Sequence, residues 1–454
     1  RAFNLYFGGA ESQPIDEIFA VRQDRDDNIV EFSRDFQLAN DPEQRFTLIK
    51  RYQFFPGEYM IEMRVIIENS DRNTLVPLQF EDAAYTLEVG PQIGPSFESL
   101  DGRYDFRRFR YLVNGNVRND NLQPGNDKEI DGSVDWAAIH GKYFAIALIP
   151  DATTSYELTF ATEGREGIEQ GNQILLERQR INDWRSSDRY RFYVGPKQAS
   201  VLQRYEDANR NDIGVSNLGL NQLAERGIFA FLEGPLKWLL QIFYNLVNNW
   251  GVAIIMLTIL VKAALFPITR KSFESTSKMQ ALQPKMAELR EKYENDKQKL
   301  NEEMMKLYQK EGVNPLGGCL PLLLQLPFLL AMFGLFNNHF ELRNAVFIPG
   351  WITDLSSPEA ILILDFSIPF IGNAIRLLPV IMLGTTFVSQ MMMQGGSGGA
   401  SQQNKMMMYL LPVVFFFVLY NVPSGLLVYW IFQNLLTVAQ QFFITKYRQS
   451  HQDA

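Results

Sequence analysis

Lys262 is an amine set inside a long apolar run, residues 251–268 (GVAIIMLTILVKAALFPI), just before the basic pair Arg270 and Lys271. The run is long enough to cross a bilayer. At about 1.5 Å per helical residue, Lys262 lies roughly 12 Å short of Arg270. Thr258 is one turn earlier and shares its face. A charge at such depth is costly and is normally directed to a protein interior or a wet cavity. Two readings stand. The long stem of Lys262 snorkels its ammonium to the headgroups, or the residue marks a hydrated intramembrane site that attracts negative charge. Other apolar stretches also hold polar side chains: Gln325, Gln390, and the trio Trp430, Gln433 and Asn434. Each alone is explained by an interhelical hydrogen bond. Thr258, Lys262, Gln390 and Gln433 together would line a polar interior.

Other chemistries find little support. The three histidines, His140, His339 and His451, have no metal-ligand spacing. No GxxxxGK[ST] phosphate loop occurs. The single cysteine, Cys319, excludes an intrachain disulfide. No catalytic residue, metal or cofactor is expected, and the chain reads as something other than an enzyme.

The elements that must position these residues fall into two halves. Up to about residue 226 the 454-residue chain is polar and acidic, and it supplies most of the net charge of −8. That balance argues against a nucleic-acid site. In EYMIEMRVII, Tyr59, Ile61, Met63, Val65 and Ile67 alternate with Glu62 and Arg64, the period of a half-buried strand. VPLQFEDAAYTLEVGP, KYFAIALIP, SYELTFATEG and RYRFYVGP are similar, with Pro-Gly and Asn-Gly turn signals among them. This predicts an antiparallel β-sandwich over residues 1–225, closed by a helical segment near residues 197–212.

Residues 226–250 contain an amphipathic interfacial helix, with Trp238, Phe243, Tyr244 and Trp250 as interface-seeking rings. Five spans are predicted, near 250–269, 318–337, 374–394, 406–421 and 424–443. The first core span is placed at 251–270 and the remaining four within 318–446. Ten Lys and Arg residues occupy the stretch between the first two spans, and Lys446 and Arg448 follow the last. The positive-inside rule places residues 271–317 and the tail 447–454 in the cytoplasm, and the N-terminal half outside. Export of that half implies an upstream signal anchor. Residues 395–399 (GGSGG) read as a flexible linker.

Within 271–317, Met279, Leu282, Met286, Leu289 and Tyr293 step by three and four, as do Leu300, Met304, Leu307 and Tyr308. Asn295 and Asp296 form the turn between them. This predicts a helical hairpin, either packed only on itself or serving as an adaptable Met-rich docking arm.

Four long motifs resemble the bacterial YidC membrane protein insertases. They are NWGVAIIMLTILVKAALFPIT, KMQALQPKMAELREKY, VNPLGGCLPLLLQLP and PSGLLVYWIFQNLLTVAQQ, spread over residues 235–446. The resemblance implies an α-helical membrane protein with five core transmembrane helices around a hydrophilic groove. It also implies an N-terminal all-β super-sandwich periplasmic domain similar to sugar mutarotases. Groove positions on this basis are Lys262, Thr258, Gln390 and Trp430. The family usually carries arginine where Lys262 stands, so the charge is kept and the planar fork is lost. The resemblance further implies a bacterial inner-membrane location, nascent membrane proteins as substrates, and the ribosome, a Sec-type translocon and membrane lipids as partners. A secondary transporter or channel, with Lys262 in an ion or solute path, is the alternative. Against it stand the lack of an internal repeat and the unexplained cytoplasmic arm.

Overall fold

The computed structural model describes residues 3–38, 41–69, 78–80, 83–90, 106–123, 125–151, 155–162, 171–224, 229–313, 320–394, 410 and 412–452. The chain divides into two units, Arg1–Glu225 and Arg226–Ala454.

The first unit is built from two antiparallel sheets. The nine-stranded sheet runs Ala20–Asp24, Ile29–Leu38, Asp41–Phe54, Met60–Asn69, Arg185–Pro196, Phe144–Pro150, Val134–His140, Arg108–Val113, Asn116–Asp120. The five-stranded sheet runs Phe3–Phe7, Tyr85–Val89, Gln173–Arg178, Tyr156–Ala161, Lys128–Ile130. Met63, Val65, Ile67, Tyr85, Leu87, Phe109, Phe160, Leu176 and Phe192 belong to one buried core. The strand Met60–Asn69 departs from the expected half-burial. Met63, Val65 and Ile67 enter that core, while Met60 packs into a second cluster with Trp136, Tyr193, Leu202, Tyr205, Leu220 and Leu223. While Arg64 and Glu68 further along this strand stay part-exposed, its outer face is therefore covered at the start by the chain after residue 198. That segment is a single α turn, α1 (Ala199–Leu202), followed by 3-10 turns rather than one continuous helix. Glu58 holds the segment against the sheet by accepting from Arg204 Nη2 at 2.7 Å and from Tyr205 OH at 2.9 Å.

The second unit is helical: α2 (Ala230–Val247), α3 (Trp250–Ala281), α4 (Gln283–Lys292), α5 (Lys297–Lys310), α6 (Leu320–Asn338), α7 (Leu378–Gln394), helical residues 412–418 (α8), and α9 (Ser424–Gln452). Among the described residues, two helical segments are long and apolar enough to cross a bilayer, Trp250–Arg270 and Ser424–Ile444. Leu323–Asn337 and Leu378–Met392 are apolar but shorter. The linker at 395–399, residues 318–319 of the expected second span, and residues 406–409 and 411 of the expected fourth lie outside the described residues.

Two boundaries differ from expectation. α3 does not stop near residue 270. It continues to Ala281 because nothing in RKSFESTSKMQA breaks a helix, and Pro284 in the first turn of α4 marks the restart. The third apolar helix starts at Leu378 rather than 374, because Leu362–Ile368 and Gly372–Ile375 form a β-hairpin. Glu359 Oε1 caps α7 by accepting from the backbone N–H groups of Leu377 at 2.5 Å and Leu378 at 2.7 Å.

α2, α3, α6, α7 and α9 share one apolar core, with Leu240, Leu257, Phe336, Met382 and Leu427 among its members. Gly251 is required there, since a Cβ at that position would overlap the ring of Phe347. The α3–α5 arm has its own small core of Leu282, Met286 and Val313, with Met279, Met304, Leu307 and Tyr308 packed on it.

Candidate functional site

A seam of polar side chains joins α3, α7 and α9. Lys262 is half-buried on α3, and its Nζ donates to Thr437 Oγ1 on α9 at 2.7 Å. Thr437 in turn donates to the carbonyl of Gln433, one turn back, at 2.8 Å. Two turns further along α3, Thr269 Oγ1 accepts from Gln440 Nε2 at 3.0 Å. Gln433, Thr437 and Gln440 are spaced i, i+4, i+7, so they form one stripe of α9 facing α3. Asn434 and Gln441 form the adjacent stripe, facing α7. Asn434 Nδ2 donates to Thr386 Oγ1 at 2.9 Å, and Gln441 Nε2 donates to the carbonyl of Met392. Thr386 Oγ1 donates to the Met382 carbonyl at 2.7 Å.

This seam sits within helices whose other contacts are apolar, and it is incompletely satisfied. Among the described residues, the buried side-chain oxygens of Gln390, Gln433, Gln440 and Gln441 have no partner. Each such group costs about 1–3 kcal/mol unless water or a ligand reaches it. Among the described residues Lys262 has only a neutral oxygen as a hydrogen-bond partner. Among the described residues no carboxylate lies within ion-pairing distance of it. An ammonium held this way leaves two of its three donors available and its charge uncompensated.

The sequence-predicted residues separate into groups. Lys262 and Gln433 meet at the seam through Thr437. Thr258 is fully buried one turn before Lys262, but its hydroxyl returns to its own helix, donating to the Ile254 carbonyl at 2.7 Å. Gln390 is half-buried on α7, with its oxygen unpartnered. Trp430 belongs to the apolar core, its ring 5.4 Å from that of Phe415. Gln325 is half-buried on α6, and no described hydrogen bond links it to Lys262. In the arm, Met279, Leu282, Met286 and Met304 pack against one another, and Tyr308 OH approaches Met286 Sδ at 3.8 Å. Leu289 is half-buried and outside that cluster. Thr437 and Gln440 were missed by sequence reasoning. Their signal was present as the i, i+4, i+7 series beginning at Gln433 in an otherwise apolar helix.

A second polar cluster lies at the far end of α3. Trp250 stacks on Tyr244 with centroids 4.0 Å apart and meets the edge of His339 at 5.4 Å. His339 Nδ1 is paired with Glu341, which holds that carboxyl down at about 2. The Trp250–His339 contact ties the loop after α6 to the α2–α3 junction, and Glu341 fixes the imidazole from within that loop.

An apolar helical bundle threaded by a polar seam, together with a separate β-sandwich, defines a membrane protein with an extramembrane domain. Residues 3–239 match the family model described as the YidC periplasmic domain, and residues 242–452 match the one described as 60Kd inner membrane protein. The chain is 42% identical to a membrane protein insertase YidC of Treponema denticola, over 98% of this chain and 78% of that one. It is 36% identical to a membrane protein insertase YidC of Treponema pallidum, over 98% and 77% respectively. A crystal structure of an active YidC insertase with its first transmembrane domain resolved aligns with a TM-score of 0.39 and 18% identity, over 96% of this chain and 82% of that one. The chain belongs to the YidC family of membrane protein insertases, whose members are not enzymes.

Proposed function

We propose that this protein inserts membrane proteins by admitting the hydrophilic tail of an incoming chain into a wet groove along the α3–α7–α9 seam. Five helices span the inner membrane in this reading. The β-sandwich is periplasmic, and the α4–α5 arm and the C-terminus are cytoplasmic. The observation that carries the reading is the half-buried Lys262 ammonium, held among the described residues by Thr437 alone, on a seam whose glutamine oxygens have no described partner.

The physical problem is desolvation. A short polar tail cannot enter hydrocarbon without losing its hydration, at several kcal/mol per unpaired group. A hydrated seam shortens the dry path. Lys262 attracts acidic residues of the tail, and the amides and hydroxyls of Gln390, Gln433 and Thr437 exchange partners with its backbone. The apolar segment that follows leaves sideways into lipid, driven by burial of its side chains. The membrane potential adds a pull on negative charge toward the outside, about 2.3 kcal/mol per charge per 100 mV. The arm is a docking element for the nascent chain or ribosome. Met279, Met286 and Met304 are committed to its own packing, so docking falls to its outer face, where Met305 is exposed beside charges that include Lys297, Lys299 and Lys310.

Reconstituted insertion of a single-span reporter tests this. The purified protein in liposomes inserts the reporter, and the Lys262→Glu variant at equal protein level does not insert reporters with acidic tails. Equal insertion of acidic and neutral tails by Lys262→Glu would refute the electrostatic role.

A further inference from the structure

The β-hairpin ahead of α7 is unlike any other element of the helical unit. Among the described residues its strands Leu362–Ile368 and Gly372–Ile375 pair only with each other. Side chains on both faces are bare: Leu362 is 55%, Ile363 70% and Phe366 63% exposed. At the tip, Ile371 N donates to the Ile368 carbonyl at 3.2 Å across Pro369 and Phe370. Phe370 has φ +68° and is 88% exposed. Proline followed by a positive φ is the pattern of a type II turn, whose second central position favours glycine or asparagine. A phenylalanine there is strained, and its ring is presented outward. Over residues 361–375 the only charge is Asp365.

The base, by contrast, is held firmly. Tyr420 OH donates to the Ala374 carbonyl at 2.9 Å and accepts from Arg376 N at 3.1 Å. Arg376 donates through Nη1 to the Glu359 carbonyl at 2.7 Å and through Nε to Asn421 Oδ1 at 3.1 Å. The hairpin is therefore a stiff apolar blade on a polar clamp, not a slack loop. Two-sided apolar exposure of this kind is an aggregation hazard in water.

We propose that this hairpin lies in the headgroup–acyl boundary of the outer leaflet, with Phe366 and Phe370 as its anchors, and that its ligand is lipid. Three features select lipid over a protein partner. Bare apolar side chains stand on both faces, whereas a docking strand shows a partner one face, and the exposed Asp365 and Ser367 between them suit a boundary with polar headgroups. The Phe370 ring meets that of Phe417 at 6.3 Å, and Phe417 continues into the exposed apolar surface of Val413, Val414 and Val418 on α8. The blade thus extends the lipid-facing wall of the bundle. The open edges of a two-stranded sheet cannot be satisfied in hydrocarbon, which holds the blade at the boundary where water and headgroups reach its backbone. Set there, it fixes the depth of the α7 N-terminus through Glu359 and Arg376.

The proposal rests on the reading that the apolar helices span a bilayer, and the test separates the two. Cys319 is replaced by serine, and single cysteines at Phe366, Phe370, Leu435 and Asn119 carry an environment-sensitive fluorophore in the full chain, reconstituted in phosphatidylcholine vesicles. Leu435, 46% exposed on α9, reports on spanning, and Asn119 on water. Labels at Phe366 and Phe370 should emit blue-shifted. They should lose most of their emission to lipids bearing a nitroxide near the glycerol end of the acyl chain, and little to aqueous iodide. Quenching by iodide and not by lipid, with Leu435 quenched by lipid, overturns the hairpin proposal and leaves spanning intact. Failure at Leu435 as well overturns both. Shielding at Phe366 and Phe370 that vanishes as protein is diluted into lipid assigns the blade to a second copy and also overturns it. Phe366 lies in a regular strand, so its variant keeps the test informative if the strained turn rejects a cysteine at Phe370.

Discussion

Replacing Lys262 by alanine removes an ammonium that the seam holds through a single neutral contact. Its Nζ has three donors, and Thr437 Oγ1 takes one at 2.7 Å. Two remain for a carboxylate of an incoming tail, so the tail need not displace Thr437. A hydrogen bond involving a charged group contributes about 1.5–3 kcal/mol net. The bare Coulomb attraction at about 4 Å and an effective dielectric near 20 is about 4 kcal/mol, and desolvating the tail offsets part of it. At about 1.4 kcal/mol per decade, the lower range corresponds to a loss of about 10- to 150-fold in the insertion rate of an acidic tail. The assay is single-turnover insertion into vesicles of paired reporters differing only in Asp versus Asn in the tail. Lys262→Ala should slow the Asp reporter by that factor and the Asn reporter by much less. Lys262→Arg should keep the difference. Equal slowing of both reporters would refute the reasoning and leave Lys262 as a snorkelling or purely structural residue.

Thr437→Val should destabilise the bundle by about 1–3 kcal/mol, since it leaves a Lys262 donor unsatisfied, and Thr437→Ser should restore the thermal midpoint in detergent. Gly251→Ala should lower that midpoint by forcing the Phe347 ring aside, at a cost of about 1–3 kcal/mol, and the double variant with Phe347→Ala should recover part of it. In the outer domain, burial first and then the Lys197 ammonium push His140 well below its usual range. The unfolded chain therefore takes up a proton near pH 6.5 that the folded domain refuses. Stability should be full above that pH and fall as pH drops below it. Hydrogen exchange in the strand Val134–His140 measures this, and His140→Gln should flatten the dependence. Deleting residues 279–310 should abolish insertion while the remaining helices still fold, as judged by an unchanged melt of the β-domain and by extraction as a monodisperse species.

The β-domain was legible because its strands alternate against sharp turn signals. KYFAIALIP and RYRFYVGP became Phe144–Pro150 and Arg185–Pro196. What period-two reading missed was the burial of Met60 on the second face of Met60–Asn69. No pattern within a strand says that a segment some 140 residues later, ending in Leu220 and Leu223, will cover it. In the helical unit, Lys262 declared itself by its cost, but its partner did not. Threonine in an apolar helix is unremarkable until the i, i+4, i+7 register of Gln433, Thr437 and Gln440 is set against α3. The hairpin at 362–375 was hidden because LILDFSIPFIGNAI is as apolar as the span after it. Only the cap that Glu359 places on Leu377 and Leu378 separates the two.

The central claim is that the seam between α3, α7 and α9 receives the tail of the substrate. A photoreactive side chain at Gln390 on the seam, and another at Phe443, which is 69% exposed on α9, can be irradiated with a stalled, acidic-tailed nascent membrane protein bound. The account predicts that the tail crosslinks from Gln390 and that Lys262→Glu abolishes this crosslink. It also predicts that Phe443 captures only the apolar segment. A tail that crosslinks from Phe443 and not from Gln390, or a Gln390 crosslink indifferent to the charge at position 262, would contradict it.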